Sequence, residues 1–554
     1  MLPCDFTSFS QLFYAPSVFT LLAASFGVAA ALFFASARFL LIAQQTGYKP
    51  RALTKWFLAP ANNYKNRLML LSLMSFLSFC LVGACFIPAI GETASSFIGF
   101  ICFILFAVLY IKTESGVNAK IPLKKTGRLV RLSVTYFIVL FAACFALSVA
   151  ANYIAYLVGD DIVCVLRYCV LTFMPMLIPY AVAAAEFIAG PFENRRNARF
   201  IKRAARTLAQ SRAVKIGITG SFGKTGVKEI LKTVLGIRHK VLATPESYNT
   251  PLGIALTVKD GADADFFIAE MGARRAGDIK ELCDMVKPSV GVLTGVNGQH
   301  LETFGSAENI KKTKFELFDN LYGDKIAVFS ADNDGAKELY GKFVGNKCLA
   351  GVNGGLVRAE NVVLSENGAE FTLLIDGEKP INCKTRLLGI HNVSNFCLAA
   401  AAAYRLGATA ADIAEGALRC EPAPHRLNKI QAAGGGIIID DSYNSSVDGA
   451  KAALAFLSVL SGEKTVFTPG LVELGAEQYA ANFQLGKDIA EIADRAVIVG
   501  KTNADALTAG LAAGGADKEK IIVAETLSDG VSLAGGVNKG EIALFLNDLP
   551  DCYD

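Results

Sequence analysis

Five long apolar segments near the start of this 554-residue chain place the strongest constraint on its fold. Residues 1–190 contain only 19 charged side chains, 13 of them Lys or Arg, whereas residues 191–554 contain 85. Each apolar segment has at least 18 residues, enough for a helix to cross the ~30 Å hydrocarbon layer of a membrane. The segments are residues 18–41, 68–90, 94–111, 132–157 and 162–188. The pattern predicts an α-helical membrane domain of about five transmembrane helices, followed by a part that faces water.

The loop charges predict how these helices are oriented. The loop after the first segment carries five Lys or Arg residues, the loop after the third carries six, and the other two loops are short and acidic or neutral. Because Lys and Arg concentrate on the cytoplasmic side, we expect the N-terminus outside the plasma membrane and the chain after residue 190 in the cytoplasm. A basic stretch at 191–212 then lies against anionic membrane lipid or forms a solvated helix face.

Charge and cysteine content exclude two classes of function. The net charge is +7 before residue 191 and −3 after it, so no single basic surface is available for nucleic acid and no nucleic-acid partner is expected. The 13 cysteines include no C-x-x-C pair. They are therefore expected to be reduced and buried rather than to bind metal or form a disulfide framework.

The chain after residue 213 has the pattern of α/β domains. Short apolar strands alternate with helices, as in a parallel sheet covered on both faces. Hairpin-like segments between about 347 and 388 predict a small β insertion, and a second alternating series follows two prolines near residue 421. We predict a transmembrane helical domain at 1–190, a basic linker at 191–212, and α/β domains at 213–420 and 421–554.

The sharpest local motif is TGSFGKT at residues 219–225, directly after a predicted strand and before a predicted helix. Glycines there let successive backbone N–H groups turn towards one anion. Lys224 would reach the β and γ phosphates of ATP, and Thr225 would offer its hydroxyl to Mg²⁺. The motif predicts a nucleotide triphosphate site, although its spacing is the shorter G-x-x-G-K-T. The residues of the predicted backbone cradle are Gly220, Ser221 and Gly223.

Further segments resemble the Mur ligase family, and they occur in the family's order. They are ESYNTPLGIALTV at 246, AEMGARRAGDI at 269, GQHLETFGSAENIKKTKFELF at 298, GIHNVSNFCLAAAAA at 389, PHRLNKI at 424, IIIDDSYNSSVDGAKAAL at 437 and TPGLVELGAEQ at 468. Within the family the chain is most similar to ligases that add D-alanyl-D-alanine to a cell-wall precursor. The resemblance implies a central ATP-binding domain with a P-loop and a C-terminal Rossmann-like domain that closes over the nucleotide.

The resemblance also implies metal and substrate ligands. Glu270 ends one predicted strand and His300 follows another, and the resemblance implies that both hold Mg²⁺. Lys314 aligns with a lysine that the family carbamylates, which would let it share Mg²⁺. The neighbouring Lys311 and Lys312 leave a shifted register open, and a solvated basic helix face is the alternative. The other implied contacts are Asn395 with adenine, Arg426 and Asp441 with the ATP phosphates and ribose, and Asn249 and Thr250 with the acceptor substrate.

The implied reaction is ATP-dependent amide formation through an acyl phosphate, with Lys224, Lys314 and His300 as catalytic residues. We therefore expect a membrane-anchored ligase of peptidoglycan precursor synthesis that uses ATP and Mg²⁺. Its expected substrates are D-Ala-D-Ala and a UDP-linked or lipid-linked muropeptide.

Departures from the family keep two alternatives open. Such ligases begin with a soluble domain that grips the uridine nucleotide, but only about 25 residues separate the last apolar segment from the strand at Val214. Gly226 and Asn482 stand where a hydroxyl residue and a histidine are common in these ligases. A Mur-like ligase that makes another product, such as a poly-γ-glutamate-type polymer, is one alternative, and an ATP-driven lipid transporter is the other.

Overall fold

The computed structural model describes residues 15–59, 64–74, 77, 101, 104–105, 107–112, 123–158, 174–297, 304–443, 445–472 and 474–547. The chain divides into two compact units, Met1–Arg196 and Asn197–Leu549. They are called the N-terminal unit and the C-terminal unit below.

The N-terminal unit is built from apolar helices. Its described helices are α1 (Ala15–Ala35), α2 (Ala37–Gln45), α3 (Pro50–Leu58), α4 (Gly127–Val158) and the first part of α5 (Ile178–Gln210), with a 3-10 turn at Met174–Leu177 before α5. The residues of α5 after Arg196 belong to the C-terminal unit. Helices α1 and α4 pack against each other through Phe33 and Tyr136, whose stacked rings lie 5.7 Å apart. A hydrogen bond of 3.3 Å joins the hydroxyls of Ser25 and Ser148 on the same two helices.

The predicted membrane spans are confirmed in part. Two stretches are long and apolar enough to cross a membrane, Gly127–Ala150 and Met174–Gln210, and they overlap the predicted segments 132–157 and 162–188. The predicted segment 18–41 corresponds to a bent pair, Leu21–Ala35 and Ala37–Gln45, whose axes differ by 53°. Most of the predicted segments 68–90 and 94–111 lies outside the described residues. The described residues therefore contain two or three candidate spans, and the number five stays a prediction.

The stretch predicted as a basic linker is helical as far as Gln210, as part of α5. Within the C-terminal unit, the apolar side of α5 packs into the core through Phe200, Ile201, Ala204 and Leu208. Opposite that side, Arg199, Lys202, Arg203 and Arg206 are exposed. The stretch is therefore an amphipathic helix with one basic face.

The described residues of the C-terminal unit form two β-sheets with helices packed on them. The first has nine strands in the order β2-β3-β1-β4-β5-β6-β7-β8-β9. In this order, the strands from β2 to β7 run parallel. Strands β8 and β9 extend the sheet as antiparallel hairpins, in agreement with the predicted β insertion. The strands are β1 (Val214–Thr219), β2 (Val241–Ala243), β3 (Phe266–Glu270), β4 (Val290–Leu293), β5 (Ile326–Ser330), β6 (Asn346–Gly351), β7 (Val357–Ser365), β8 (Gly368–Ile375) and β9 (Ile381–Thr385).

Helices cover both faces of this sheet. They are α6 (Lys224–Leu235), α7 (Pro251–Thr257), α8 (Asp278–Val286), α9 (Ala307–Asp319), α10 (Asp334–Lys342), α11 (Ile390–Arg405) and α12 (Ala410–Arg419). Helices α6, α11 and α12 bury one core with the strands, and α7, α8, α9 and α10 bury the other. Two cores on opposite faces explain why the parallel strands are almost continuously apolar.

The second sheet has six strands in the order β10-β11-β15-β12-β13-β14, all parallel except β10. The strands are β10 (Asn428–Gln431), β11 (Ile437–Asp441), β12 (Glu463–Thr468), β13 (Arg495–Val499), β14 (Ile521–Ala524) and β15 (Glu541–Leu546). Its helices are α13 (Val447–Ser458), α14 (Gln478–Ile492), α15 (Ala504–Ala513) and α16 (Leu527–Leu533). This α/β arrangement agrees with the predicted Rossmann-like fold.

Asn482 on α14 holds the segment that follows β12 of the second sheet. Its amide donates to the carbonyls of Leu471 and Gln478 at 2.9 and 2.8 Å, and its oxygen accepts from the Leu471 N–H at 2.8 Å. The side chain is fully buried. The departure from histidine at this position is thus accommodated by a complete set of hydrogen bonds.

We expect Asn482→Ala to lower the free energy of unfolding by about 3 kcal/mol, because it leaves buried backbone groups without partners. Urea unfolding of the purified variant measures the change. Gln484→Ala is the matched control, since Gln484 is exposed on the same helix. Equal stability of the two variants would contradict the structural role of Asn482.

Candidate active site

The predicted phosphate loop lies at the carboxyl ends of three neighbouring strands. Strand β1 is flanked by β3 and β4, and the loop leads from β1 directly into α6. The residue pairs Ile218–Glu270 and Thr219–Leu293 align the three strand ends. Ligands of open α/β sheets bind in the crevice at such strand ends. The structure therefore places TGSFGKT where a nucleotide site is expected.

Two glycines make the loop a close-fitting cradle. Gly220 has φ 151° and Gly223 has φ 74°. A Cβ on Gly220 would lie 2.0 Å from the Thr294 hydroxyl, and one on Gly223 would lie 2.7 Å from the Asn395 side-chain oxygen. The Ser221 N–H donates to the Gly295 carbonyl at 2.8 Å, which fixes the loop against the end of β4. Side chains at the two glycine positions would therefore reshape the loop.

Gly220→Ala is expected to weaken ADP binding by at least about tenfold, because the added methyl group displaces the loop backbone from the phosphates. Isothermal titration calorimetry with ADP and Mg²⁺ measures the change. Gly341→Ala is the control, since a methyl group there meets no atom within 4 Å. Unchanged ADP affinity in Gly220→Ala would contradict the assignment of the cradle.

The amine of Lys224 lies inside the phosphate loop. Its Nζ donates to the carbonyls of Gly220 and Ser221 at 2.8 and 3.2 Å. Burial lowers its pKa to about 8, with nearby Arg426 adding to the shift and Glu270 opposing it. Phosphate groups at the loop would favour the protonated amine, so Lys224 suits a nucleotide contact.

Thr225 and Glu270 supply two oxygens for a cation. The Thr225 hydroxyl donates to Glu270 Oε2 at 2.9 Å, and Glu270 is almost fully buried at the end of β3. Adjacent ligands in an octahedral Mg²⁺ shell are about 3 Å apart, given Mg–O distances of 2.0–2.1 Å. The spacing and hard-oxygen chemistry of this pair therefore fit Mg²⁺. His300, the third predicted ligand, lies outside the described residues.

Residues 244–250, between β2 and α7, contain the predicted acceptor residues and are called the acceptor loop; this loop reaches the same carboxylate. The Asn249 amide donates to Glu270 Oε1 at 3.3 Å, and a Cβ on Gly272 would lie 2.7 Å from the Asn249 Cγ. Thr250 caps α7, since its hydroxyl accepts from the Gly253 N–H at 3.2 Å. Glu270 thus connects the acceptor loop to the phosphate loop, and Thr250 shapes the acceptor loop locally.

Lys314 is buried on α9, where it feels the positive charge of Lys224. Burial, with a smaller contribution from the positive charge of Lys224, lowers its pKa to about 7, whereas the charges of Asp278 and Glu316 oppose the shift. The neighbouring Lys312 is exposed and Lys311 pairs with Glu338. Of the three lysines, Lys314 is the one that the structure places towards the phosphate loop.

Asn395 lies close to Gly226 beside the phosphate loop. Asn395 lies on α11 within contact distance of Gly223, and its amide donates to the Asn392 side-chain oxygen at 3.3 Å. A Cβ on Gly226 would lie 3.2 Å from the Asn395 side-chain nitrogen. The glycine at position 226 leaves room for Asn395 close to the loop.

Arg426 and Asp441 come from the second sheet. Arg426 stacks on Tyr443 at 4.7 Å, and it lies between His425 and Leu427, whose φ angles are 58° and 48°. Burial raises the pKa of Asp441 to about 7 against the opposing charge of Arg426. Left-handed backbone at two non-glycine residues costs energy and is common at functional sites. The loop therefore holds Arg426 in a set position.

Two contacts join the second sheet's part of the chain to the loops of the first sheet, and a third joins one of those loops to the phosphate loop. The hydroxyls of Ser247 and Tyr443 are hydrogen-bonded. The Asn297 amide donates to Asp448 at 2.9 Å, and the Asn297 N–H donates to the Ser221 hydroxyl at 3.2 Å. Direct contacts thus join Thr225, Asn249 and Glu270, and Arg426 reaches the acceptor loop through Tyr443.

Sequence patterns did not single out Lys228 or Thr294. The Thr294 hydroxyl donates to the Phe222 carbonyl and packs against Gly220. Lys228 is fully buried beside Glu270. A lysine on the apolar face of α6, one turn after Lys224, is the signal that could have identified it.

Comparison with known proteins adds family information to this geometry. Residues 218–403 match the family model of the Mur ligase middle domain. The UDP-N-acetylmuramoyl-tripeptide--D-alanyl-D-alanine ligase of Escherichia coli K12 is 31% identical over 323 residues, covering 55% of this chain and 69% of that enzyme. The enzyme of the same name from Bacillus subtilis 168 is 30% identical over 294 residues, covering 52% and 63%.

Solved structures show the same similarity. MurF from Acinetobacter baumannii superposes with a TM-score of 0.57 at 26% identity, covering 63% of this chain and 77% of that chain. MurF from Thermotoga maritima, solved in complex with ADP, superposes with a TM-score of 0.56 at 25% identity, covering 64% and 80%. The similarity extends beyond the residues of the middle domain.

Proposed function

Because this chain belongs to the Mur ligase family of ATP-dependent amide-forming ligases, we propose that it joins D-alanyl-D-alanine to the free carboxylate of a muropeptide. The relatives named for this reaction support the choice of substrates. The product would be a lengthened stem peptide of a peptidoglycan precursor.

One observation carries the proposal, the position of Glu270 between two loops. Its Oε2 accepts from Thr225 of the phosphate loop, and its Oε1 accepts from Asn249 of the acceptor loop. A nucleotide on the first loop and an acid on the second would meet at this carboxylate. Proximity of this kind is what phosphoryl transfer to an acceptor requires.

The first step would be phosphoryl transfer. A carboxylate oxygen of the muropeptide forms a bond to the γ phosphorus of ATP, and the bond from that phosphorus to the bridging oxygen breaks, releasing ADP. Lys224, at the end of the loop, would balance the charge on the transferred phosphoryl oxygens. The product is an acyl phosphate, so no enzyme nucleophile is used.

The second step would be attack by the amine of D-Ala-D-Ala on the acyl carbon. A tetrahedral intermediate forms, the bond from carbon to the phosphate oxygen breaks, and the amine proton leaves to solvent or base. The products are the amide and inorganic phosphate. Contacts such as that of Ser247 with Tyr443 would close the crevice and protect the acyl phosphate from water.

We propose Thr225, Glu270, His300 and Lys314 as the residues that hold Mg²⁺. The ion would supply positive charge that screens the phosphates and polarises the transferring group. Lys314 would take part after carbamylation, which requires its neutral amine. A pKa lowered to about 7 favours that neutral form near physiological pH.

We propose that the N-terminal unit anchors the enzyme in the plasma membrane with the C-terminal unit in the cytoplasm. Support comes from the candidate spans Gly127–Ala150 and Met174–Gln210. Arg128 and Arg131 lie at the start of the first, and the exposed basic face of α5 lies at the end of the second. Basic residues at these ends are typical of the cytoplasmic side. Alkaline carbonate extraction of membranes tests the anchoring, and release of the protein would contradict it.

The product test uses purified protein with ATP, Mg²⁺, D-Ala-D-Ala and a UDP-linked or lipid-linked tripeptide in separate reactions. Mass spectrometry is expected to show a pentapeptide in at least one reaction, together with ADP. A γ-linked polymer from glutamate would favour the polyglutamate alternative. ATP hydrolysis that moves lipid in proteoliposomes without any amide product would favour the transporter.

A further inference from the structure

Lys228 is a fully buried lysine next to the candidate metal site. It lies on α6, one turn after Lys224, on the side of the helix that packs into the unit. A buried ammonium group is costly unless charged and polar partners surround it. The partners of Lys228 therefore indicate what the residue does.

Two of those partners belong to the candidate site. The Lys228 Nζ lies 3.4 Å from Glu270 Oε2, the same oxygen that accepts from Thr225. The Nζ also donates to the backbone carbonyl of Glu246 in the acceptor loop. A third partner, Glu229 Oε1, lies 3.4 Å away at the partly exposed edge.

The hydrogen bond from Lys228 to the Glu246 carbonyl stabilises an unfavourable backbone conformation at Glu246. Glu246 has φ 44°, in the left-handed region that non-glycine residues rarely adopt. It lies three residues before Asn249, whose amide contacts the other oxygen of Glu270. Lys228 thus fixes the start of the acceptor loop, and Glu270 fixes its end.

We infer that Lys228 is a positioning residue that couples the acceptor loop to the metal carboxylate. It balances the charge of Glu270 before a divalent cation binds, and it holds the loop that presents the acid. This inference rests on the proposed function, since it assigns Glu270 to the cation and the loop to the acceptor.

The coupling predicts opposite effects on the two ligands. Removing a positive charge 3.4 Å from a ligand oxygen should strengthen cation binding, because the cation no longer competes with the ammonium group. Removing the hydrogen bond to Glu246 should loosen the loop and weaken acceptor binding. A loss of general stability would weaken both ligands instead.

The test compares Lys228→Met with wild type in the full-length protein. Mn²⁺ binding is monitored by electron paramagnetic resonance in the presence of ADP. The Mn²⁺ affinity of the variant is expected to be about fivefold higher than that of wild type. Hydrogen exchange of residues 244–250 should become faster. In steady-state assays the KM for the muropeptide is expected to rise about tenfold, with a smaller change in kcat.

Lys232→Met is the matched control, since Lys232 is exposed one turn later on the same helix and contacts Glu229. It should leave all three measurements unchanged. Lys228→Arg keeps the charge, so it should restore the wild-type Mn²⁺ affinity, and it also covers the case in which Lys228→Met does not fold.

Weaker or unchanged Mn²⁺ binding in folded Lys228→Met, or an unchanged exchange rate in the loop, would overturn the inference. If Lys228→Met does not fold, altered Mn²⁺ affinity in Lys228→Arg would overturn it. The Mn²⁺ and exchange measurements need no acceptor. A wild-type protein that fails to ligate would therefore refute the proposed substrates and leave this test intact.

Discussion

Lys224→Ala is expected to abolish ATP turnover and ligation together, with a loss of at least about 1000-fold in kcat/KM. The Lys224 amine lies within the phosphate loop and donates to the backbone carbonyls of Gly220 and Ser221. A triphosphate at the loop offers that amine a stronger, charged partner. Without the amine, charge on the transferring phosphoryl group has no counter-charge from the loop.

Coupled assays of ADP release and mass spectrometry of the amide product measure the two activities. Lys232→Ala should retain both, since its side chain is exposed on the same helix. Thermal unfolding confirms that Lys224→Ala is folded. Retention of either activity by a folded Lys224→Ala protein would contradict the role of the phosphate loop in the reaction.

Lys314→Ala is expected to lower kcat about 100-fold or more, because it removes a proposed anionic ligand from the metal. If that ligand is a carbamate, removing bicarbonate should also lower wild-type activity. Short carboxylic acids such as acetate should partly restore the variant, because they can occupy the space of the carbamate. Full activity of Lys314→Ala would contradict the proposal that Lys314 is a metal ligand.

The pH dependence of the wild type follows from the same lysine. With the pKa of Lys314 lowered to about 7, its amine is protonated below that pH and neutral above it. Only the neutral amine takes up CO₂, so at fixed dissolved CO₂ activity should fall as the pH drops from 8 to 6. Lys312→Ala should behave like wild type, because Lys312 is exposed. An acetate-rescued Lys314→Ala protein should lose this pH response.

The parallel strands and the phosphate loop were predictable because their signals are local. Strands such as β1 and β3 are short apolar runs, and the glycines before Lys224 mark a turn that few other residues allow. The edge strands β2 and β10 carry a much weaker signal, since they are short and half-exposed. Their pairing depends on neighbours that are distant in sequence.

The site itself was predictable only in part. The family resemblance indicated Asn395 and Arg426, but contacts between remote segments show how they are held, such as Arg426 on Tyr443. The role of Lys228 depends on Glu246 and Glu270, which are 18 and 42 residues away. No spacing rule connects such residues, because the fold alone brings them together.

The most direct test of the account follows an oxygen atom. The muropeptide is prepared with ¹⁸O in its reacting carboxylate, and the phosphate released during ligation is analysed by mass spectrometry. Attack of the carboxylate on the γ phosphorus predicts one ¹⁸O atom in each inorganic phosphate, with ADP as the other product. Unlabelled phosphate, or ¹⁸O found in AMP, would contradict the acyl phosphate mechanism.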